Sequence, residues 1–393
     1  MVGSDLSNEP PLYDGPVLGR RQLAAALIGL ASLALLAPIA AAKSTPADVQ
    51  RGLERLVAAP GGPPGAIATI YRKGRLTTLS AGRADVKRKG APRATDHMRI
   101  ASVSKAFSGA VALNLVSTGQ LGLDDTIAER LPGMPPAWGA VTVRQLLNHT
   151  GGLPDYTKSK PFVEHLTRDP RGFVSPQTEI DWVRSEPLEF TPGSNYEYSN
   201  TDNVLIGLIA EAVTGASYDE ALERIVFGPA RLRQTSLPTG LAIPQPFIHG
   251  YTVAPGKKPD DDSSVVSPTI AGASGGIIST PKDLNAFVRA DLGLRFFDLA
   301  QQRQQMRFYP GGRSDPPGPG KNSAGLALFR YQTKCGTVFG HTGTFIGYAQ
   351  FIGATADGTR AVTTSINTDA PTGTLLAQLR RVQTTAICAL LGR

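Results

Sequence analysis

The sequence predicts an α+β fold: an antiparallel sheet flanked by helices and interrupted by a long, mainly helical insertion. Three observations carry this. Residues 66–72 alternate as a strand, and Lys73-Gly74 turns the chain into a second strand at 76–82. The last third returns to the same pattern at 326–331, 337–340, 348–353 and 361–366, with Asp357-Gly358 as a hairpin signal. Between these ends helical periodicity and Pro/Gly-rich loops dominate. Residues 43–101 and 301–393 are therefore expected to build one sheet, and 102–300 a helical part, with a cleft between them.

Taken in order, a short helix is expected at 47–57. Within the insertion, helices are expected at 143–147, 179–185, 202–214, 218–225 and 281–290, and 372–391 closes the chain as a helix. Segments 255–268 and 310–321 read as polar, Pro/Gly-rich loops, and Lys257-Lys258 ahead of 260–262 as a solvated turn. No internal repeat interrupts this order.

At 393 residues and 41% hydrophobic, the chain can bury a large core. The charged fraction is 18% and the formal charge +8, but the basic residues are scattered, which argues against a nucleic-acid face. No H-E-x-x-H or Cys/His cluster suggests a metal, and no cofactor or obligate protein partner is expected.

Arg20-Arg21 precede an uncharged run, 23–42, that ends in Ala40-Ala41-Ala42. This reads as a secretory signal over 1–42, with a twin-arginine flavour, and implies an extracytoplasmic protein. The competing reading is an N-terminal membrane anchor. The two cysteines, Cys335 and Cys388, make a disulfide the first expectation in an oxidising compartment; two separate buried thiols are the alternative.

The chemistry centres on residues 100–123. Ser102-Val103-Ser104-Lys105 opens a helix that runs to Gly119, and apolar residues cover most of its circumference. Lys105 falls in the first turn, where a desolvated ammonium is costly unless partnered. Positions i and i+3 share a helix face, so the Ser102 hydroxyl and the Lys105 amine can meet. A lysine whose pKa is lowered by burial can take the serine proton and make it a nucleophile. The bland alternative is Ser102 as a cap and Lys105 reaching solvent.

Two further stretches follow. Residues 190–203, FTPGSNYEYSNTDN, suit a loop lining a cleft, in which Tyr198 relays a proton and Asn200 positions an amide and the lysine. His341-Thr342-Gly343-Thr344 is expected between two strands. There Gly343 permits close approach of a substrate backbone, and the charge of His341 is adjustable near neutrality.

The ordered set S-x-x-K, Y-x-N and H-T-G resembles the penicillin-recognising serine hydrolases: β-lactamases, low-molecular-mass penicillin-binding proteins and related esterases. The segments RIASVSKAF, VTVRQLLNHTGGLPDYT, FTPGSNYEYSNTDN, AGASGGIISTPKDL and FGHTGTFIGY are all similar to family segments, so the likeness covers residues 67–391. It is strongest to secreted D-alanyl-D-alanine carboxypeptidases with histidine in place of the lysine of K-T-G. The resemblance implies a β-lactamase/transpeptidase-like fold, and Cys335 and Cys388 fall where that type has its disulfide.

It further implies that Ser102 is acylated, Lys105 helps take its proton, Tyr198 relays a proton to the leaving amine and Asn200 positions. His341 would line the opposite wall, with Thr342 near the substrate carboxylate. The N–H groups of Ser102 and Thr344 would form an oxyanion hole, worth ~3–4 kcal/mol per donor. Which of Lys105 and Tyr198 is the base stays open. Arg330 is a candidate for binding a terminal carboxylate, with an exposed strand arginine as the equal alternative. Phe162 is expected at the cleft mouth. One departure stands out: Ile270 occupies the region where the carboxypeptidase type has an aromatic residue, which puts the acyl-side pocket in question.

The function implied is a carboxypeptidase acting on peptidoglycan stem peptides and acylated by β-lactams. An esterase or β-lactamase on the same scaffold, and a non-turnover sensor of β-lactams or peptides, are the alternatives. Gly272–Gly276 formally matches G-x-S-x-G, but residues 277–280 read as extended rather than helical, so Ser274 is expected in a Gly-rich turn near the cleft. His149 is expected to be a hydrogen-bonded structural residue, and His97, His165 and His249 surface or loop residues.

Overall fold

The computed structural model describes residues 43–254 and 256–393. The 1–42 segment read as an export signal lies outside them. Helix α1, Pro46–Ala58, starts on a capping box: Thr45 accepts from the Asp48 N–H, the Asp48 carboxylate accepts from the Thr45 N–H, and Pro46 supplies the first-turn φ. Strands β1 (Gly65–Arg72) and β2 (Arg75–Gly82) form a hairpin whose two turn residues, Lys73 and Gly74, both have positive φ (52° and 75°). That is the turn handedness that matches strand twist.

The last third of the chain supplies β3 (Lys321–Ala324), β4 (Phe329–Thr333), β5 (Gly336–Phe345), β6 (Tyr348–Ala354) and β7 (Ala361–Ile366). The seven strands run in the order β2-β1-β7-β6-β5-β4-β3, each antiparallel to its neighbours. Strand β1 pairs with β7, from Ala66 opposite Ile366 to Tyr71 opposite Ala361, so the two ends of the chain join mid-sheet. A buried cross-strand bond, Thr69 Oγ1 to Thr363 Oγ1 at 2.7 Å, holds this join.

Two expectations change here. Lys321–Ala324 is a strand, although Lys321 is expected to end a loop and 322–324 carry no expected element; the polar sequence has little strand propensity of its own, and pairing with β4 imposes the conformation. The H-T-G segment lies inside β5, because β6 pairs with it through Phe345.

Helix α2 (Ser104–Ser117) is buried on nearly every side and is preceded by one 3₁₀ turn, Ala101–Val103. Phe107 stacks on Phe287 at 3.6 Å between ring centroids. Helices α3 (Lys160–Arg168), α4 (Asn200–Thr214) and α5 (Pro281–Leu292) follow, and α6 (Gly373–Leu391) closes the chain. Helices α1 and α6 cover one sheet face, burying Leu53, Ala68, Phe351, Val362 and Ile387 together. The other face contributes Ile67, Ile352 and Ala354 to the larger core around Phe107 and Val111. Residues 42–393 form one compact unit. No helix among the described residues is long and apolar enough to cross a membrane.

Cys335, in the β4–β5 turn, is disulfide-bonded to Cys388 on α6, 53 residues away. The chain-entropy model values such a loop at about 4 kcal/mol. Cys388→Ser is therefore expected to lower the unfolding free energy by about 2–4 kcal/mol, read as a lower denaturant midpoint at unchanged slope.

Candidate active site

Ser102 sits in the 3₁₀ turn that feeds α2, directly after Ala101, whose φ of 52° is unusual for an alanine. One helical turn on, Lys105 is fully buried. Its Nζ lies 3.1 Å from Ser102 Oγ, 2.7 Å from Asn200 Oδ1 and 2.8 Å from the Ser274 carbonyl oxygen. Three acceptors match the three donors of an ammonium, which fixes the side chain. Burial nevertheless lowers its pKa to about 7, against an opposing pull led by Asp155 and Asp315. A substantial neutral fraction at neutral pH is what a base for the Ser102 proton requires.

Asn200, at the start of α4, has its amide oriented from behind. Its NH₂ donates to both Asp155 carboxylate oxygens (3.2 and 3.1 Å) and to Thr157 Oγ1 (3.3 Å), leaving Oδ1 for Lys105. The Tyr198 ring lies 5.0 Å from Lys105 Nζ, and its hydroxyl is buried without a hydrogen bond in this state. Burial pushes the phenol well above its usual range, and the nearby Ser102 hydroxyl offsets this only in part. Tyr198 is therefore protonated at neutral pH and suited to donating.

Behind Tyr198 lies a buried pair that couples the loop to α4. His149 Nδ1 is 2.7 Å from Asp202 Oδ2, and the His149 ring lies 4.5 Å from the Tyr198 ring. Burial depresses the histidine and raises the carboxyl, in accord with the structural reading of His149. His97 differs from expectation: it is buried, with Nδ1 3.1 Å from the Pro246 carbonyl oxygen. Ser274 lies in a short helix with its hydroxyl donating to Ala271 O at 2.8 Å, and its contribution to the site is its carbonyl.

The H-T-G strand behaves differently from its expected role in three respects. A Cβ at Gly343 would lie 2.9 Å from Ser102 N and 2.7 Å from Ile100 O. The glycine thus makes room for the nucleophile's own turn. Gly343→Ala is expected to displace that turn and slow Ser102 acylation at least about tenfold, read by labelling kinetics with a melting curve as control. His341 is fully buried, lies edge-on to Phe329 at 5.0 Å and does not line the cleft. Burial takes its pKa to about 3, so it is neutral at physiological pH, not adjustable there. Thr342 Oγ1 donates to Pro316 O at 2.7 Å, tying β5 to the 315–316 loop. Thr344 alone of the motif lines the cleft, on a stretch of β5 beyond its pairing with β4, which stops at Gly340.

Arg330 is also placed elsewhere. It lies over the Phe308 ring at 4.7 Å and donates to Ser323 Oγ at 3.2 Å, outside the cleft lining. The cleft itself has a volume of about 270 Å³. Phe162, Leu166, Val266 and Ile270 give it an apolar end, and Ser102, Tyr198 and Asn200 line it as well. Asp155, Thr157, Asp315 and the Ser274 carbonyl are the contributors that sequence reasoning did not single out. The motif segments around Asp155 and Ser274 were legible, but nothing local marked these atoms.

A serine hydroxyl 3.1 Å from a buried lysine, with a tyrosine ring beside the lysine, is the side-chain arrangement of a serine hydrolase. The family model described as Beta-lactamase matches residues 53–386, and the chain belongs to that family. Penicillin-binding protein 4* of Bacillus subtilis (strain 168) is 33% identical over 172 residues, which are 43% of this chain and 37% of that protein. The D-stereospecific amidohydrolase of Streptomyces sp. superposes with a TM-score of 0.73 at 32% identity, covering 82% of this chain and 94% of that one. For the D-amino acid amidase of Ochrobactrum anthropi SV3 the values are 0.75 and 26%, over 87% and 96%.

Proposed function

We propose that this protein is an acyl-enzyme amidohydrolase acting on amides and peptides of D-configured residues. The observation that carries the proposal is the 3.1 Å contact between Ser102 Oγ and a buried Lys105. Neutral Lys105 takes the Ser102 proton as Oγ attacks the scissile carbonyl carbon. The oxyanion so formed is received by the N–H groups of Ser102 and Thr344. Tyr198 donates its hydroxyl proton to the departing amine and regains one from Lys105, whose ammonium lies over its ring. Water then attacks the Ser102 ester with Lys105 again as base, and the lysine returns that proton to Ser102 Oγ as the ester C–O bond breaks and the acid leaves. The names of the Streptomyces and Ochrobactrum proteins support the D-configuration, and acylation by β-lactams is proposed from the penicillin-binding relative.

The carboxypeptidase reading, with a peptidoglycan stem peptide as substrate, is a narrower form of the same chemistry; it is compatible with a penicillin-binding relative, but the cleft lining offers a terminal carboxylate no cation. Export is proposed with it; the Cys335–Cys388 disulfide supports an oxidising destination. The test is a comparison of D- and L-phenylalanine amide and of a peptide ending in D-Ala-D-Ala. We expect the D-amide to be cleaved at least about a hundredfold faster than the L-amide. Equal rates for the two enantiomers would overturn the assignment of D-configured substrates.

A further inference from the structure

We propose that Asp315 makes this cleft a site for amides that carry a positive charge, an ammonium above all, and not for peptides ending in a free carboxylate. The proposal rests on the reading of Ser102 as the acylated residue. Asp315 lines the cleft with Ser102, is exposed, and takes part in no ion pair among the described residues. The groove continues past Thr344, Phe345 and Ile346 to a second carboxylate, Asp369, which accepts from the Gly347 N–H at 2.6 Å. Neither stretch is lined by lysine, arginine or histidine.

The cations around the cleft lie outside its lining. Arg99, over the Phe345 ring at 5.9 Å, is buried and donates to the Ser263, Leu241 and Val266 carbonyl oxygens, and Arg313 is exposed beyond the lining. Lys105 is buried beneath the cleft and bonded three times, Arg330 stacks on Phe308, and His341 is buried and out of the lining. A substrate carboxylate would enter next to Asp315 with no counter-charge, whereas an ammonium would find one. The remaining surface divides the ligand further. Phe162, Leu166, Val266 and Ile270 form an apolar end, and Asp315 leads to an acidic one. The fitting substrate is an amide that can direct an apolar group to the apolar end of the cleft and a cation toward Asp315. The charge of Asp315 also reaches the catalytic groups, since it raises the pKa of both Lys105 and Tyr198. A bound ammonium would cancel that field and favour neutral Lys105.

Binding to Ser102→Ala, which bypasses turnover, is the first readout. Calorimetry would compare D-phenylalanine amide, its N-acetyl form and N-acetyl-D-alanyl-D-alanine. The ammonium probe is expected to bind about tenfold more tightly than its acetylated form, and the carboxylate-terminated peptide more weakly than either. Asp315→Asn should shrink the first ratio to about one, and Asp315→Lys should reverse the order in favour of the carboxylate, with melting curves to establish folding. Unchanged ratios in both variants, or a wild-type preference for the carboxylate peptide, would overturn the proposal. Because the readout is binding, it is separate from the amidohydrolase assignment: absence of Ser102 acylation would sink that reading whatever Asp315 does.

Discussion

Ser102→Ala is expected to remove covalent labelling by benzylpenicillin and to cut amide hydrolysis by at least about 10⁴-fold. Ser102 is the only cleft-lining serine whose hydroxyl faces a base. Ser274 also lines the cleft, but its hydroxyl is donated to the Ala271 carbonyl and the Tyr156 oxygen lies 3.3 Å away. Ser274→Ala removes neither the nucleophile nor the carbonyl that holds Lys105, so labelling should persist. Mass spectrometry of the two variants separates the roles.

Lys105→Met carries the second large effect, and it acts in opposite directions on activity and stability. Removing the base should slow Ser102 acylation by about 10³-fold, within the range for general-base catalysis. In the wild type, the acylation rate should rise about tenfold per pH unit below a pKa of about 7 and level off above it, because only neutral Lys105 accepts the proton. The same burial has a stability consequence. Lys105 titrates at about 7 when folded and at about 10.4 when unfolded, so between these values the unfolded chain binds the extra proton. Wild-type stability therefore gains from this group as pH rises from 7 toward 10.4, and is penalised below 7. Lys105→Met should melt higher than the wild type at pH 6, with the advantage narrowing by pH 10. Melting curves at the two pH values, with the labelling rate in parallel, check both halves. A variant that loses activity and melts lower at every pH would contradict the desolvation argument.

The fold was legible where local chemistry and tertiary structure agree. The capping box at Thr45 and Asp48, the Lys73-Gly74 turn and the apolar periodicity of α4 and α6 all mark their elements in the chain itself. Strand β3 was not legible, because Lys321, Asn322 and Ser323 become a strand only by pairing with β4. The H-T-G segment was misread for a related reason: two glycines and two threonines look like a break in a strand, yet β6 holds them in register.

The site divides in the same way. Ser102 and Lys105 are coupled by helix spacing, and spacing is written in sequence. The groups that orient them are not: Asp155 holds Asn200 across 45 residues, and the Ser274 carbonyl meets Lys105 across 169. Arg330 shows the converse. A strand arginine near the end of the chain looks suited to a carboxylate, but the pleat points it at Phe308. Gly343 has the role expected of a small residue, with a different partner, since the backbone it admits is that of Ser102.

The most direct test of the central claim is to locate the acyl group on the wild-type protein. After brief exposure to benzylpenicillin and trypsin digestion, the adduct should appear on the peptide spanning residues 100–105, and fragmentation should place it on Ser102 and not on Ser104. An adduct on the peptide ending at Lys282, which carries Ser274, or an absence of both adduct and turnover, would contradict the account.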